Sequence, residues 1–169
     1  MQVKPSPPEH YENIPETPVV LRPFDPESKQ AALRYGEQLN HVLAQTGVKA
    51  SLHGSTELEL AGKGEWEFAI FPTDAQWYPT LTLLINHFKG VYFLSDEFVV
   101  FASYSEDYEV EVIVMRGDVA VENQAIMRYW REHPDARAMY EQEKWQHTYS
   151  RRAYYRWKDD FIASILESL

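Results

Sequence analysis

The segment LHGSTELELAGKGEWEFAI, residues 52–70, sets the pattern of the fold. An apolar segment runs into a Gly-Ser turn, and a second apolar segment then carries Glu65 and Glu67 one residue apart. Successive residues of a strand point to opposite faces of a sheet, so the two glutamates are predicted to share a face opposite Trp66 and Phe68. The carboxylates are then either the solvated side of a strand or the ligands of a metal ion.

A second acidic strand follows later in the chain. The stretch YEVEVIV, residues 108–114, places Glu109 and Glu111 on one face. If the two strands are neighbours, up to four carboxylates meet, and like charges that close raise each other's pKa or need a counter-ion such as Mg2+ or Mn2+. A half-exposed strand also alternates apolar and polar residues without any ligand. Both interpretations stay open at this point, as does the choice between Glu109 and Glu111.

Composition bounds the class of protein. The chain has 169 residues, 44% of them hydrophobic, which is typical of one globular domain. It contains no cysteine, and neither an apolar signal core nor a membrane span is apparent, so we expect the cytoplasm and no membrane partner. The net charge of −10 falls within residues 1–120, whereas residues 121–169 are balanced. This distribution argues against a nucleic-acid partner.

The order of predicted elements indicates an α+β protein. Residues 1–17 hold four prolines and are predicted to form an extended arm, and residues 18–169 a single domain. Helix and strand patterns alternate after residue 18, beginning with a short strand at VVL (19–21), and several strands follow one another after residue 90. Residues 118–169 carry helical patterns throughout. We expect a mixed sheet with packed helices and a helical C-terminal part.

The Gly-Ser turn adds a second chemical feature. Gly54 and Ser55 follow a predicted strand, where glycine permits close backbone approach and the amides and hydroxyl can hold a phosphate. Lys63 lies between two glycines and could meet a triphosphate, although the chain has no Walker motif. His53 is predicted to be a packed histidine.

The combined motifs resemble the GrpB family of the nucleotidyltransferase fold, within the DNA polymerase beta-like superfamily. The family pattern HIGSTAVPGLAGKPIIDI stands where this chain has SLHGSTELELAGKGEWEFAI, and an HLHV-type strand stands where it has YEVEVIV. The family's FRDYLRAHP corresponds to MRYWREHPD. A later Tyr-x-x-x-Lys-x-x-Phe-Ile segment matches in register at Tyr154, Lys158, Phe161 and Ile162. The resemblance covers residues 19–169 and implies a nucleotidyltransferase-like mixed sheet.

The chain departs from the family at its acids. The single acid of Ile-Ile-Asp-Ile matches Glu67, and Glu65 adds a second one. The family's His-x-His is replaced by Glu109-x-Glu111. These changes move the chain toward the acid pattern of active nucleotidyltransferases.

The resemblance implies a site and a reaction. The metal ligands would be Glu65, Glu67 and Glu109 or Glu111, with Glu65, Glu67 and Glu111 as catalytic residues and Mg2+ or Mn2+ as cofactor. Phosphate contacts would come from Gly54, Ser55, Lys63 and Lys158. The expected partners are a nucleoside triphosphate and an acceptor that the sequence does not name. The alternative is a non-catalytic member of the fold, a ligand-binding or protein-interaction module whose Tyr/Trp-rich helices face a partner. A hydrolase with paired carboxylates ranks lower because no nucleophile is recognisable.

Overall fold

A computed structural model describes residues 8–169, which divide into two compact units. One unit is Pro23–Asn123, and the other combines residues 8–22 with Gln124–Leu169. The part of the predicted N-terminal arm before residue 8 lies outside the described residues. Among the described residues, no helix combines the length and apolar character that crossing a membrane demands.

The first unit is built on one five-stranded sheet. Its strands are β1 (Ala50–His53), β2 (Glu65–Ile70), β3 (Phe93–Leu94), β4 (Phe98–Ser105) and β5 (Tyr108–Met115). They lie in the order β1-β2-β5-β4-β3. The pair β2–β5 is parallel, and the pairs β1–β2, β3–β4 and β4–β5 are antiparallel. The predicted α+β class with a mixed sheet is confirmed.

Two long helices cover one face of this sheet. They are α2 (Pro26–Leu43) and α4 (Asp74–Phe88), and the four-residue α3 (Gly54–Glu57) follows β1. The Asp25 side chain caps α2, and a reciprocal box between Thr73 and Gln76 caps α4. The alternating apolar residues of β2 and β5 pack beneath these helices. The core of the unit therefore lies on the sheet face opposite the glutamates.

The glutamate-bearing face is apolar at its other end. Ala69 follows Glu67 on the same face and is fully buried in a small cluster with Met115 and Ala120. Ala120 belongs to α5 (Gly117–Glu132), which begins directly after β5. The N-terminal turns of α5 therefore cover one end of this face.

The second unit is helical. It contains α1 (Pro8–Glu12), α6 (Pro134–Gln146), α7 (Arg151–Ser168) and the later part of α5. Ser150 caps α7 by accepting a hydrogen bond from the Ala153 amide. Most of the aromatic residues of the C-terminal segment pack together inside the unit, including Trp130, Tyr140 and Tyr154.

Residues 8–17 differ from the extended arm that is predicted for residues 1–17. Residues 8–12 are helical, and the carbonyls of Glu12 and Ile14 accept hydrogen bonds from Arg152. The guanidinium of Arg152 also pairs with Glu16 at 2.7 Å. Proline content predicts extended backbone, but these pairings with α7 are made between residues far apart in sequence, which local composition does not report.

Three local predictions were wrong. The GST turn is the helix α3, since Leu58 N–H donates to the Gly54 carbonyl. The apolar stretch VYFL, residues 91–94, is predicted from its pattern to be a strand, but only the two residues of β3 form one, at the sheet edge. The segment 19–21 forms no strand, because the Val19 N–H donates to the Thr148 carbonyl and the side chains of 19 and 21 pack on Tyr154.

Candidate metal centre and nucleotide site

Three carboxylates converge where β2 and β5 run side by side. The parallel register places Glu65 beside Glu109 and Glu67 beside Glu111. One oxygen from each of Glu65, Glu67 and Glu111 can be chosen so that all three lie within 4.8 Å of one another. All three side chains are half-buried. The sheet thus brings together acids that the sequence keeps far apart.

Burial and mutual repulsion disfavour the ionised form of a carboxyl group in this cluster. The pKa of Glu111 is raised from 4.5 to about 7, first by burial and then by the charges of Glu67, Glu65 and Glu109, whereas Lys63 lowers it. The part of this rise that comes from the neighbouring carboxylates reflects a negative field, which an added positive charge would relieve. The cluster therefore has the electrostatic character of a cation site.

Glu109 stands outside the group of three. Its partner in the register is Glu65, and this pair lies two residues before the Glu67–Glu111 pair. Strand alternation puts it on the same face as Glu111 and could not separate the two. The geometry favours Glu111 as the third carboxylate.

Gly54 is the point where the backbone comes closest to the cluster. Its φ of +63° lies in the left-handed region, and a Cβ built on it would stand 1.7 Å from Glu67 Oε2. The register of β1 and β2 explains the contact, because His53, the preceding residue, pairs with Glu67. The sequence predicts a close backbone approach at this glycine. The group that approaches it in the structure is the Glu67 carboxylate.

Lys63 reaches the cluster from the turn before β2. Its Nζ lies 2.8 Å from Glu65 Oε1, and the two side chains are only 23% and 15% exposed. Ser55 lies beside the same turn, because a Cβ added to Gly62 would meet the Ser55 Cβ at 3.0 Å. The Gly-Ser segment and Lys63 thus border the carboxylates, as a phosphate role would require.

Two further residues support the site. Thr56 Oγ1 donates to the Glu65 carbonyl at 3.1 Å and so ties α3 to the first residue of β2. Sequence reasoning missed this residue, and a threonine beside Gly-Ser carries no signal for such a bond. His53 is buried, as predicted for a packed histidine.

Lys158 lies in the other unit. It belongs to α7, so its predicted contact with phosphate stays a prediction. The Tyr/Trp-rich helices present less aromatic surface than the interaction-module alternative expects, because Trp130, Tyr140 and Tyr154 are buried. Trp145 and Tyr149 are the large aromatics of this segment that stay exposed among the described residues.

The donor set fits a hard divalent cation. Mg2+ takes oxygen ligands at about 2.1 Å, so two ligands on opposite sides of the ion stand about 4.2 Å apart. Carboxylate oxygens within 4.8 Å reach such spacing by small side-chain rotations. Glu65, Glu67 and Glu111 would hold the ion.

Comparison of sequences assigns the chain to no family. No protein-family model and no curated protein sequence matches it.

Structural comparison defines the class, an α+β fold like that of GrpB. The chain superposes on the conserved protein GrpB from Enterococcus faecalis with a TM-score of 0.68, covering 88% of this chain and 96% of that one at 19% identity. The predicted resemblance to GrpB is confirmed as a resemblance of fold.

Two further solved structures match with lower TM-scores. A cytoplasmic RNA terminal U-transferase gives a TM-score of 0.42 at 13% identity, over 68% of this chain and 35% of that one. Cid1 in complex with the UTP analogue UMPNPP gives 0.40 at 14% identity, over 68% and 34%. Similarity at this level does not carry the activities of those enzymes over to this chain.

Proposed function

We propose that this protein binds a nucleoside triphosphate together with Mg2+ or Mn2+ and transfers its nucleotidyl group to an acceptor hydroxyl. The observation that carries the proposal is the convergence of Glu65, Glu67 and Glu111 within 4.8 Å. The GrpB-like fold supports it, but fold alone does not fix function.

The roles follow from position. Glu65, Glu67 and Glu111 hold the cation, which when bound neutralises charge on phosphate oxygens. Gly54, Ser55 and Lys63 border the carboxylates and contact the phosphates. Lys158 is kept as a further phosphate contact on the strength of the motif that it shares with the GrpB pattern.

The transfer step needs a base. The acceptor oxygen forms a bond to the α-phosphorus, the bond from that phosphorus to the bridging oxygen breaks, and pyrophosphate leaves. A carboxylate takes the proton of the acceptor hydroxyl. Glu111 is the candidate for this role, and a bound cation would lower its pKa from the metal-free value of about 7 and keep it ionised at neutral pH.

Thermal unfolding tests the proposal. The protein is melted with Mg2+ or Mn2+ and each of the four common nucleoside triphosphates, alongside Glu67→Gln. A ligand at 100 times its Kd adds about 2.7 kcal/mol, and each kcal/mol moves the Tm by about 2–4 °C in a chain of this size. We expect a metal-dependent rise of about 5–10 °C that Glu67→Gln abolishes.

A matched control distinguishes loss of a metal ligand from the general effect of removing one negative charge. Glu37→Gln removes a carboxylate from the exposed surface of α2 and should respond like the parent. No shift with any nucleotide, together with a Glu67→Gln variant as stable as the parent, would reduce the carboxylates to a solvated strand face.

A second function is favoured by a different observation. Tyr92, Phe93 and Leu94 are 76%, 51% and 67% exposed, and the latter two form the edge strand β3. Exposed apolar residues at a sheet edge are typical of a strand that pairs with a partner. A non-catalytic interaction module would use this edge. It predicts that Phe93→Ser changes association measured by sedimentation, while nucleotides leave the Tm unchanged.

A further inference from the structure

Lys63 forms an ion pair with Glu65, one of the three carboxylates of the candidate metal site. Lys63 lies in the Gly62–Gly64 turn, immediately before β2, and its Nζ is 2.8 Å from Glu65 Oε1. Glu65 belongs to the group of three carboxylates. The ammonium thus touches one of the atoms that a divalent cation would bind.

The charge of Lys63 also acts on Glu111, on the neighbouring strand. It lowers the pKa of Glu111, whereas the charges of Glu65, Glu67 and Glu109 raise it. Among the charges that shift the pKa of Glu111, Lys63 is the one cation and three are carboxylates. A divalent cation carries twice the charge in a smaller volume and competes for the same oxygen.

The Lys63 side chain lies in a glycine-rich turn and is partly exposed to solvent. Glycines flank Lys63 on both sides, and Gly64 has a φ of +88°, a conformation that favours glycine. The Lys63 side chain is 23% exposed, so its ammonium can turn toward solvent without first leaving a sealed core.

We propose that Lys63 is an internal counter-ion of the carboxylates that leaves Glu65 when a divalent cation binds and then contacts the phosphate groups of the nucleotide. This inference rests on the proposed function and adds a regulatory step to it. Lys63 opposes binding of the bare metal ion and favours binding of the metal–triphosphate complex. The two effects have opposite signs, which a merely structural lysine would not produce.

The test measures Mn2+ binding by electron paramagnetic resonance of the free ion, at pH 8 and without nucleotide, for the parent, Lys63→Met and Lys63→Arg. We expect Lys63→Met to bind Mn2+ about fivefold or more tightly, equivalent to about 1 kcal/mol. Lys63→Arg keeps the charge and should stay within about twofold of the parent.

A second lysine provides the matched control. Lys29 makes an ion pair with Glu59 at 2.7 Å, and its side chain is 22% exposed, close to the value for Lys63. Its charge is absent from those that shift the pKa of Glu111. Lys29→Met should leave Mn2+ affinity unchanged.

The phosphate contact is tested with inorganic tripolyphosphate and Mn2+. In thermal unfolding, Lys63→Met should lose at least half of the Tm shift that the parent gains from Mn2+–tripolyphosphate. The same variant should gain a larger shift than the parent from Mn2+ alone.

The outcomes separate the two proposals. Equal Mn2+ affinity in the parent and Lys63→Met, with binding abolished by Glu67→Gln, overturns the role of Lys63 and leaves the metal site standing. Weaker Mn2+ binding by Lys63→Met also overturns it, because the lysine would then assemble the site. Absence of Mn2+ binding from both proteins overturns the proposed function and this inference together.

Discussion

The backbone of Gly54 and the carboxylate of Glu67 occupy adjoining space, so closely that a single methyl group at Gly54 would overlap Glu67 Oε2. The separation from an added Cβ is 1.7 Å to that oxygen and 2.8 Å to Glu67 Cδ. Real Cβ atoms do not come so close to another heavy atom, so one of the two groups would have to move. The observed position of the Glu67 carboxylate therefore requires glycine at position 54.

Gly54→Ala should therefore damage both stability and metal binding. The substitution meets a φ of +63° and the Glu67 carboxylate at once, so we expect a loss of about 2–4 kcal/mol in unfolding free energy. Chemical denaturation measures the loss, and Mn2+ binding should weaken in the fraction that stays folded.

Gly90→Ala is the control for this change. A Cβ there meets nothing within 4 Å, so its unfolding free energy should stay within about 1 kcal/mol of the parent. Equal effects at the two glycines would contradict the contact with Glu67.

Stability should depend on pH through Glu111. Its folded-state pKa of about 7 exceeds the ordinary 4.5, so the folded protein binds more protons than the unfolded chain between these values. Stability contributed by this group is complete below pH 4.5 and is lost as the pH rises to 7. With partial solvent screening the loss is on the order of 1–2 kcal/mol.

Glu111→Gln removes this dependence. The metal-free variant should be more stable than the parent by about 1–2 kcal/mol at pH 8 and similar to it at pH 4.5. Denaturant unfolding at several pH values measures the difference. A stability difference that does not change with pH would show that the Glu111 carboxyl has an ordinary pKa.

Glu109 and Glu111 should differ in metal binding, although both lie on one face of β5. Glu111→Gln removes a ligand and should weaken Mn2+ binding about tenfold or more. Glu109→Gln alters only the field around the site, so we expect about twofold to threefold. Titration of Mn2+ by calorimetry decides between them, and a larger effect at Glu109 would reassign the third ligand.

Gly36 should be intolerant of alanine for a packing reason. It lies in α2, and an added Cβ would stand 2.9 Å from Phe68 Cε1, on a ring that is 1% exposed. Alanine gains about 1 kcal/mol in helix propensity, but overpacking costs about 1–3 kcal/mol, so Gly36→Ala should be destabilising by about 1 kcal/mol.

A double-mutant cycle identifies the cause. The penalty of Gly36→Ala should shrink in a Phe68→Leu background, because the smaller side chain makes room for the methyl group. An unchanged penalty would place the strain elsewhere in the helix.

The sequence predicted the parts of the fold that local pattern determines. The alternation in EWEF and YEVEV placed the glutamates of β2 and β5 on one face, and the structure makes these strands neighbours. The caps at Asp25 and Thr73, which begin α2 and α4, are local features of the same kind. These features depend on residues within one turn or one strand of each other.

The rest depended on contacts between distant residues. The parallel register that brings Glu111 to Glu67, and leaves Glu109 outside the group of three, cannot be deduced from either strand alone. The helix α3 has only four residues, too few for a periodic signal. Lys63 and Glu65 are close in sequence, yet their ion pair was not predicted, because a lysine between two glycines is more often simply exposed.

The parallel pairing of β2 with β5 also governs when the site can exist. Between these strands the chain passes through α4, β3 and β4, so a long loop must close before the carboxylates meet. Contacts of this kind form slowly, and the gathered like charges oppose them. A cation that binds only the completed cluster would then leave the folding rate almost unchanged. It would slow unfolding instead and so prolong the lifetime of the folded molecule.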